Sequence, residues 1–394
     1  MSLEPYTKKH WSSVQILRGI AVVLVAMYHF EPHFRSVLGL PPYSGVFSLF
    51  GFFGVDLFFV ISGFVIWPLI SKRNLCHAEK LNFLAKRMLR IYFPYLVVMV
   101  VALHYRLGNP SGDIPKSLLL YPQGLATQYL PVAWTLVFEV VFYLIGFGLM
   151  FIRSIQWRYR ALAAITLLPV IHAATTITFT SWSISEYYLY WGDHTGSTWL
   201  DGSISGHFIS LWFLEFFAGV SVSYWLTCYD SAKLARHVGK IWMCAIILFI
   251  TSLIASKLSY GPLDSGTVLI QRISLFGISA TLIFVGMLGL EIKGITQRLP
   301  LGVSRLFEWL GDGSYSIYLL HSVIYDIGYV SGFRDWCLNA GMLGWMAMIG
   351  FFFVTTLCAG VIGNYLELPV YRALTRALSK PVKNGANKVS NGLG

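Results

Sequence analysis

The stretch "RGIAVVLVAMYH", Arg18 to His29, decides how this chain folds. Its interior holds no charge, while each end carries an ionisable side chain. Extended to residues 14–34, the segment reaches the roughly 20 residues needed to cross a hydrocarbon core of about 30 Å. In an α-helix, positions eleven apart differ by about 20° around the axis and about 16 Å along it. Arg18 and His29 therefore share one helix face. An ionisable group inside a membrane span is costly to bury, which makes it a candidate for function. Two plainer readings stand beside this one: Arg18 as an anchor snorkelling to the interface, and His29 as a satisfied buried histidine.

The rest of the 394 residues fits that beginning. The chain is 56% hydrophobic and only 12% charged, about half the charge of a soluble domain. The composition is that of an all-α polytopic membrane protein. Windows of roughly 19 residues predict about ten transmembrane helices. They lie near 14–34, 46–69, 91–106, 131–151, 161–180, 207–227, 241–257, 269–290, 314–331 and 343–366. The first apolar run has no small-residue cleavage site, so no cleavable signal is expected. The five cysteines are scattered without a C-x-x-C pair, which supports neither a zinc ribbon nor a disulfide framework.

With the N-terminus placed in the cytoplasm, 23 of the 29 Lys and Arg fall in inside segments. That bias predicts cytoplasmic N- and C-termini. It also accounts for the net charge of +11 as a topology signal, so nucleic acid is not an expected partner. Residues 377–394, rich in Gly, Asn and Lys, read as a disordered cytoplasmic tail.

Other polar groups reach a similar depth. "GVDLFFVISGF" puts Asp56 near the middle of the second span, and "WTLVFEVVFY" puts Glu139 about 12 Å inside the outer end of the fourth. "GDGSYSIYLLH" brings Tyr315, Ser316 and His321 to the ninth. A histidine with a carboxylate neighbour is the minimum equipment for general-base catalysis. Hydrogen-bonded glue between helices and a proton relay in a transporter are the competing readings.

In "FLAKRMLRIYFPY", Arg87 and Arg90 share a face, with Lys86 beside them. Such a pair suits phosphate groups through bidentate hydrogen bonds, or else anionic lipid. The loop 181–206 has no Lys or Arg and holds Trp191 and Asp193 among several aromatics and acids. With Trp134, these are candidate sugar-binding residues; an interfacial aromatic belt is the alternative. His29 and His33 stand four apart, yet Glu31 is not placed as in H-E-x-x-H, so no metal is expected. G-x-S-x-G and Gly-rich nucleotide loops are absent.

Taken together, the blocks resemble those of the acyltransferase-3 family of integral membrane acyltransferases. Arg18-x10-His29 is similar to its R-x10-H motif, and "KRMLRIYFPY" to its R-x-x-R motif. "GVDLFFVISGFVI", "WTLVFEVVFYLI", "GDGSYSIYLLH" and the Glu-x-Pro segment "NYLELPVYRAL" resemble four further blocks in the family's order. The likeness covers about residues 12 to 376, so 1–376 is expected to form one membrane acyltransferase domain. The variant looks closest to exopolysaccharide and O-antigen acetyltransferases.

The resemblance implies transfer of an acyl group, most often acetyl, from cytoplasmic acyl-CoA to a hydroxyl on an extracytoplasmic or lipid-linked glycan. His29 is then the essential base, and Arg18, Arg87, Arg90 and Lys86 hold the CoA donor. Glu139 or Asp56 would orient the imidazole. Tyr315, Ser316 or His321 would stabilise the oxyanion. No cofactor is permanently bound. Acyl-CoA, the glycan, membrane lipids and polysaccharide assembly proteins are the expected partners, in a bacterial inner membrane. The alternative is a transporter or flippase of a glycolipid or acyl carrier, with the buried His, Glu and Asp as its relay.

Overall fold

The computed structural model describes residues 11–37, 39–41, 45–123, 127–180, 210–229, 231–259 and 272–379. Its principal helices are α1 (Ser12–Val37), α2 (Phe53–Ile70), α3 (His77–His104), α4 (Trp134–Leu149), α5 (Ile155–Thr180) and α6 (Phe213–Cys228). They continue with α7 (Ser231–Ser259), α8 (Ile278–Ile292), α9 (Leu301–Asp312), α10 (Ser314–Val330), α11 (Met342–Ile362) and α12 (Leu368–Ser379). No strand occurs among the described residues. Each of the ten expected segments falls on a helix. Among the described residues, seven helical stretches are long and apolar enough to cross a membrane: Ser12–Val37, Val46–Ile70, His77–His104, Pro131–Leu149, Ser231–Ala255, Ser274–Ile292 and Met342–Leu378. The chain is thus an all-α, multi-pass membrane protein.

The remaining three segments are α5, α6 and α10. Helices α6 and α10 have 16 and 17 residues, and α5 has 26. The second span also differs from a continuous 46–69 helix. Residues Gly51 and Phe52 form a turn between the short helix Val46–Phe50 and α2. Asp56 consequently stands in the first turn of α2.

Lipid tails are as apolar as leucine, so helices in a bilayer associate through close packing rather than by escaping water. The α2–α6 crossing does this with glycines. A Cβ on Gly63 would lie 2.0 Å from the Phe216 carbonyl oxygen, and one on Gly219 would lie 1.9 Å from that of Val60. Only hydrogen fits at either site. The largest apolar cluster joins α2, α3, α4, α6 and α10 through Phe59, Tyr95, Phe138, Phe216 and Ile317. Exposed Leu167 and Ile171 on α5, Ile247 and Ile250 on α7, and Met346 and Phe353 on α11 face outward, as lipid-contacting side chains should.

Helix ends leave carbonyls and N–H groups without intrahelical partners. Arg158 meets this need at the end of α2, donating to the Ile70 and Lys72 carbonyls at 2.6 and 2.7 Å. Glu291, at the end of α8, accepts from the Ser12 and Ser13 N–H groups at 3.3 and 2.8 Å. A carboxylate at that position complements the positive end of the α1 dipole.

Candidate active site

Helix α10 organises the site through its spacing. Ser314, Tyr318, His321 and Tyr325 recur every three or four residues and so form one stripe along the helix. Ser316 lies on the opposite side. At the start of the stripe, Arg18 donates through Nη2 to Ser314 Oγ at 2.8 Å. Two turns further, His321 Nε2 stands 3.2 Å from His29 Nδ1. Both ionisable ends of the opening sequence therefore meet α10, as one shared face requires.

Between these contacts opens a cleft of about 940 Å³, mouth included, lined by α1, α2, α3, α4 and α10. Arg18, Arg87 and Arg90 line it together with Glu139, Tyr143 and Tyr315. Tyr143 donates its hydroxyl to Glu139 Oε1. The Arg87 guanidinium lies over the Tyr143 ring at 5.9 Å. Arg90 lies over Tyr315 and Tyr371 at 5.6 and 5.2 Å. Tyr315 gives its own hydroxyl hydrogen to the Ile91 carbonyl at 2.9 Å.

Arg90 Nη1 also pairs with Glu367 Oε1 at 2.7 Å, and Ser316 Oγ donates to Glu367 Oε2 at 2.6 Å. One carboxylate thus joins α3 to α10. Glu367 closes the π-helical turn Gly363–Glu367 that links α11 to α12. Such wide turns recur at functional sites because they re-aim one residue. Three guanidinium groups against two carboxyls leave the cleft receptive to an anion.

The histidine pair has a defined proton order. His321 Nδ1 lies 3.1 Å from the Ile317 carbonyl, which can only accept, so this nitrogen carries the hydrogen. In the neutral ring Nε2 is then the acceptor. His29 Nδ1 lies 2.9 Å from the Val25 carbonyl and must also be protonated. Its N–H is shared between that carbonyl and His321 Nε2. The basic lone pair of His29 consequently sits on Nε2. Tyr318, whose hydroxyl donates to the Val132 carbonyl at 2.8 Å, separates the cleft from the pair. Its ring centroid lies 5.9 Å from that of His321.

The other expected residues are distributed more widely. Asp56 is fully buried but does not line the cleft. It stands about 100° around α2 from Val55, which does, and shares the face of Gly63 against α6. Lys86 is half-buried outside the cleft lining, and its carbonyl accepts from Tyr371 at 3.4 Å. Trp134, the first residue of α4, packs on Phe59, Phe138 and Trp212. Trp191 and Asp193 lie outside the described residues, as do positions 380–394. Among the described residues no three of His, Cys, Asp and Glu gather as a metal-binding set.

Four site residues were not singled out from the sequence: Ser314, Tyr318, Tyr143 and Glu367. The first two lie on the His321 stripe, so periodicity could have found them. Glu367 belongs to the Glu-x-Pro segment, and only its contact with Arg90 reveals its place.

The helices of this multi-pass membrane protein thus hold a basic cleft beside a histidine pair. The acyltransferase domain family matches residues 11–364, and the chain belongs to that family. Among relatives, it is 26% identical over 363 residues to the exopolysaccharide production protein ExoZ of Rhizobium meliloti. That match covers 86% of this chain and 92% of the relative. It is also 29% identical over 147 residues to the peptidoglycan O-acetyltransferase OatA of Listeria monocytogenes serovar 1/2a. Here the match spans 36% of this chain and 21% of the relative. No solved structure matches the chain.

Proposed function

We propose that the protein transfers an acyl group, acetyl by preference, from cytoplasmic acyl-CoA to a hydroxyl of an extracytoplasmic or lipid-linked glycan. The observation that carries this reading is the three-arginine cleft that ends one helical turn short of the His29–His321 pair. The distribution of Lys and Arg favours the Arg18 end at the cytoplasmic side, and the bacterial relatives favour an inner membrane. ExoZ and OatA bear names of exopolysaccharide production and peptidoglycan O-acetylation, which favours a surface glycan as acceptor.

Coenzyme A is polyanionic and does not enter hydrocarbon, so its phosphates stay with Arg87 and Arg90, and with Lys86 at the rim. The thin pantetheine arm runs up the cleft past Arg18 and Tyr315, bringing the thioester towards Tyr318. His29 Nε2 takes the proton of the glycan hydroxyl as that oxygen attacks the thioester carbonyl. The carbon–sulfur bond breaks, the new ester forms, and the imidazolium returns the proton to the leaving thiolate. His321 holds His29 in the tautomer that leaves Nε2 basic.

Glu139 keeps the arginine cluster from being wholly uncompensated and fixes Tyr143. Ser316 and Tyr315 act as positioning groups, because their hydroxyls already serve Glu367 and Ile91. Asp56 holds α2 against α6.

The test compares NMR spectra of surface polysaccharide from cells with and without the gene, alongside CoA release by purified protein given acetyl-CoA and that polysaccharide. An O-acetyl signal lost with the gene, and CoA release that requires the acceptor, support the assignment. Identical spectra and no CoA release refute it.

A further inference from the structure

The basic cleft ends before it reaches the histidine pair. Neither His29 nor His321 is among the residues that line it, whereas Tyr318 is. On α10 Tyr318 precedes His321 by one helical turn, about 4.5 Å of rise. Its ring centroid lies 5.9 Å from that of His321 and 6.2 Å, edge-on, from that of Phe58. Phe58 lines the cleft as well. Around these rings the partition is apolar: Val22 and Val25 of α1, Val55 of α2 and Tyr318 itself belong to one buried cluster.

The Tyr318 hydroxyl is latched. It donates its one hydrogen to the Val132 carbonyl at 2.8 Å, so Thr135 Oγ1, 2.7 Å away, is the donor of the second bond. Both partners lie where the turn Pro131–Ala133 runs into α4. That turn closes the connection from α3, which leaves α3 at His104, about 21 Å of helix beyond Arg90. The latch is therefore carried by the end of the site away from the donor arginines, the side from which the acceptor of the proposed reaction arrives. Water competes with a glycan hydroxyl for any thioester that reaches a base, and excluding it is one reason active sites close.

We propose that Tyr318 is the residue that sets the choice of a glycan hydroxyl over water. Latched, its ring keeps a thioester in the cleft apart from His29. An acceptor seated beside the α3–α4 connection opens the latch, and the thioester meets His29 with the acceptor hydroxyl already in place. With the latch weakened, water takes the acceptor's part. Its oxygen bonds to the thioester carbonyl carbon, the carbon–sulfur bond breaks, and one proton passes through His29 to the leaving thiolate, giving acetic acid and CoA. The assignment rests on the acyl-transfer reading of the cleft and the histidine pair.

The test follows CoA release by the detergent-purified full chain given acetyl-CoA, with and without surface polysaccharide from the producing cells. Wild type should release CoA with the polysaccharide and little without it. Thr135→Val removes one hydrogen bond from the latched state, so the open population, and polysaccharide-free release with it, should rise about fivefold. Tyr318→Phe keeps the ring but loses both bonds and should raise it further; Tyr318→Ala should raise it most. Adding His29→Ala to Tyr318→Phe should abolish this release, which a general loosening of the fold does not require. Polysaccharide-free release at the wild-type rate in both Thr135→Val and Tyr318→Phe overturns the assignment, whether or not Tyr318→Ala folds. Release that persists without His29 overturns it too. If wild type still releases CoA with polysaccharide in either case, the role of Tyr318 falls and the acyl-transfer reading stands. No release from any of these proteins under either condition sinks both.

Discussion

Glu367→Ala removes the carboxylate that holds both Arg90 and Ser316. The side chains of Arg90 and Glu367 are 15% and 4% exposed, so the variant leaves a nearly buried guanidinium without its counter-ion. Breaking a buried pair by deleting one partner costs about 3–5 kcal/mol. Arg90 opens onto the donor cleft, where water can approach it, so a loss of about 2–3 kcal/mol, below that fully buried range, is expected. About 1 kcal/mol of this is the orphaned Ser316 hydroxyl. Glu367→Gln keeps a neutral acceptor for both donors and should lose about half as much. The assay is thermal unfolding of the purified protein in detergent, with and without CoA. If CoA phosphate takes the place of Glu367 on Arg90, CoA should stabilise Glu367→Ala more than wild type. At a concentration of about 100 Kd, ligand binding adds about 2.7 kcal/mol, enough to restore most of the loss. A variant as stable as wild type refutes the structural reasoning. Equal stabilisation of both proteins by CoA refutes the phosphate role of Arg90.

Other expected outcomes follow from single contacts. His321→Ala should lower kcat by about 10²-fold, with little change in the acetyl-CoA KM, because it releases His29 from its tautomer without touching the donor cleft; a KM effect alone contradicts this role. Gly219→Val places a branched side chain where even a Cβ lies 1.9 Å from the Val60 carbonyl, and should sharply reduce the yield of folded protein in the membrane, whereas Gly350→Val, with open space around its Cβ position, should not. Arg158→Met orphans the Ile70 and Lys72 carbonyls and should cost about 2–3 kcal/mol in denaturant or thermal unfolding; an unchanged midpoint rejects the clamp.

The sequence carried the site's axial logic better than its partners. Helical periodicity alone put Arg18 and His29 on one face, and the same arithmetic, had it been applied to α10, would have linked Tyr318 to His321. Periodicity cannot name what faces that side, because partners are set by tertiary packing. His29 and His321 are 292 positions apart, and Arg90 and Glu367 are 277 apart. The orienting group expected for His29 was a carboxylate, whereas the structure sets another imidazole against it. Asp56 read as central in a continuous span, since hydropathy does not register the Gly51–Phe52 turn that starts α2 afresh. Each of the ten segments picked out by hydropathy falls on a helix, and α6 and α10 have 16 and 17 residues.

In the proposed reaction His29 carries the transfer of an acyl group from a donor on one side of the membrane to an acceptor on the other. Proteoliposomes containing the full chain, with radiolabelled acetyl-CoA sealed inside and polysaccharide outside, test it directly. Wild type should label the external polysaccharide, and His29→Ala, inserted to the same level, should reduce the rate by at least about 10²-fold. Label appearing at an undiminished rate with His29→Ala, or remaining inside with wild type, rules out transfer by His29 across the membrane.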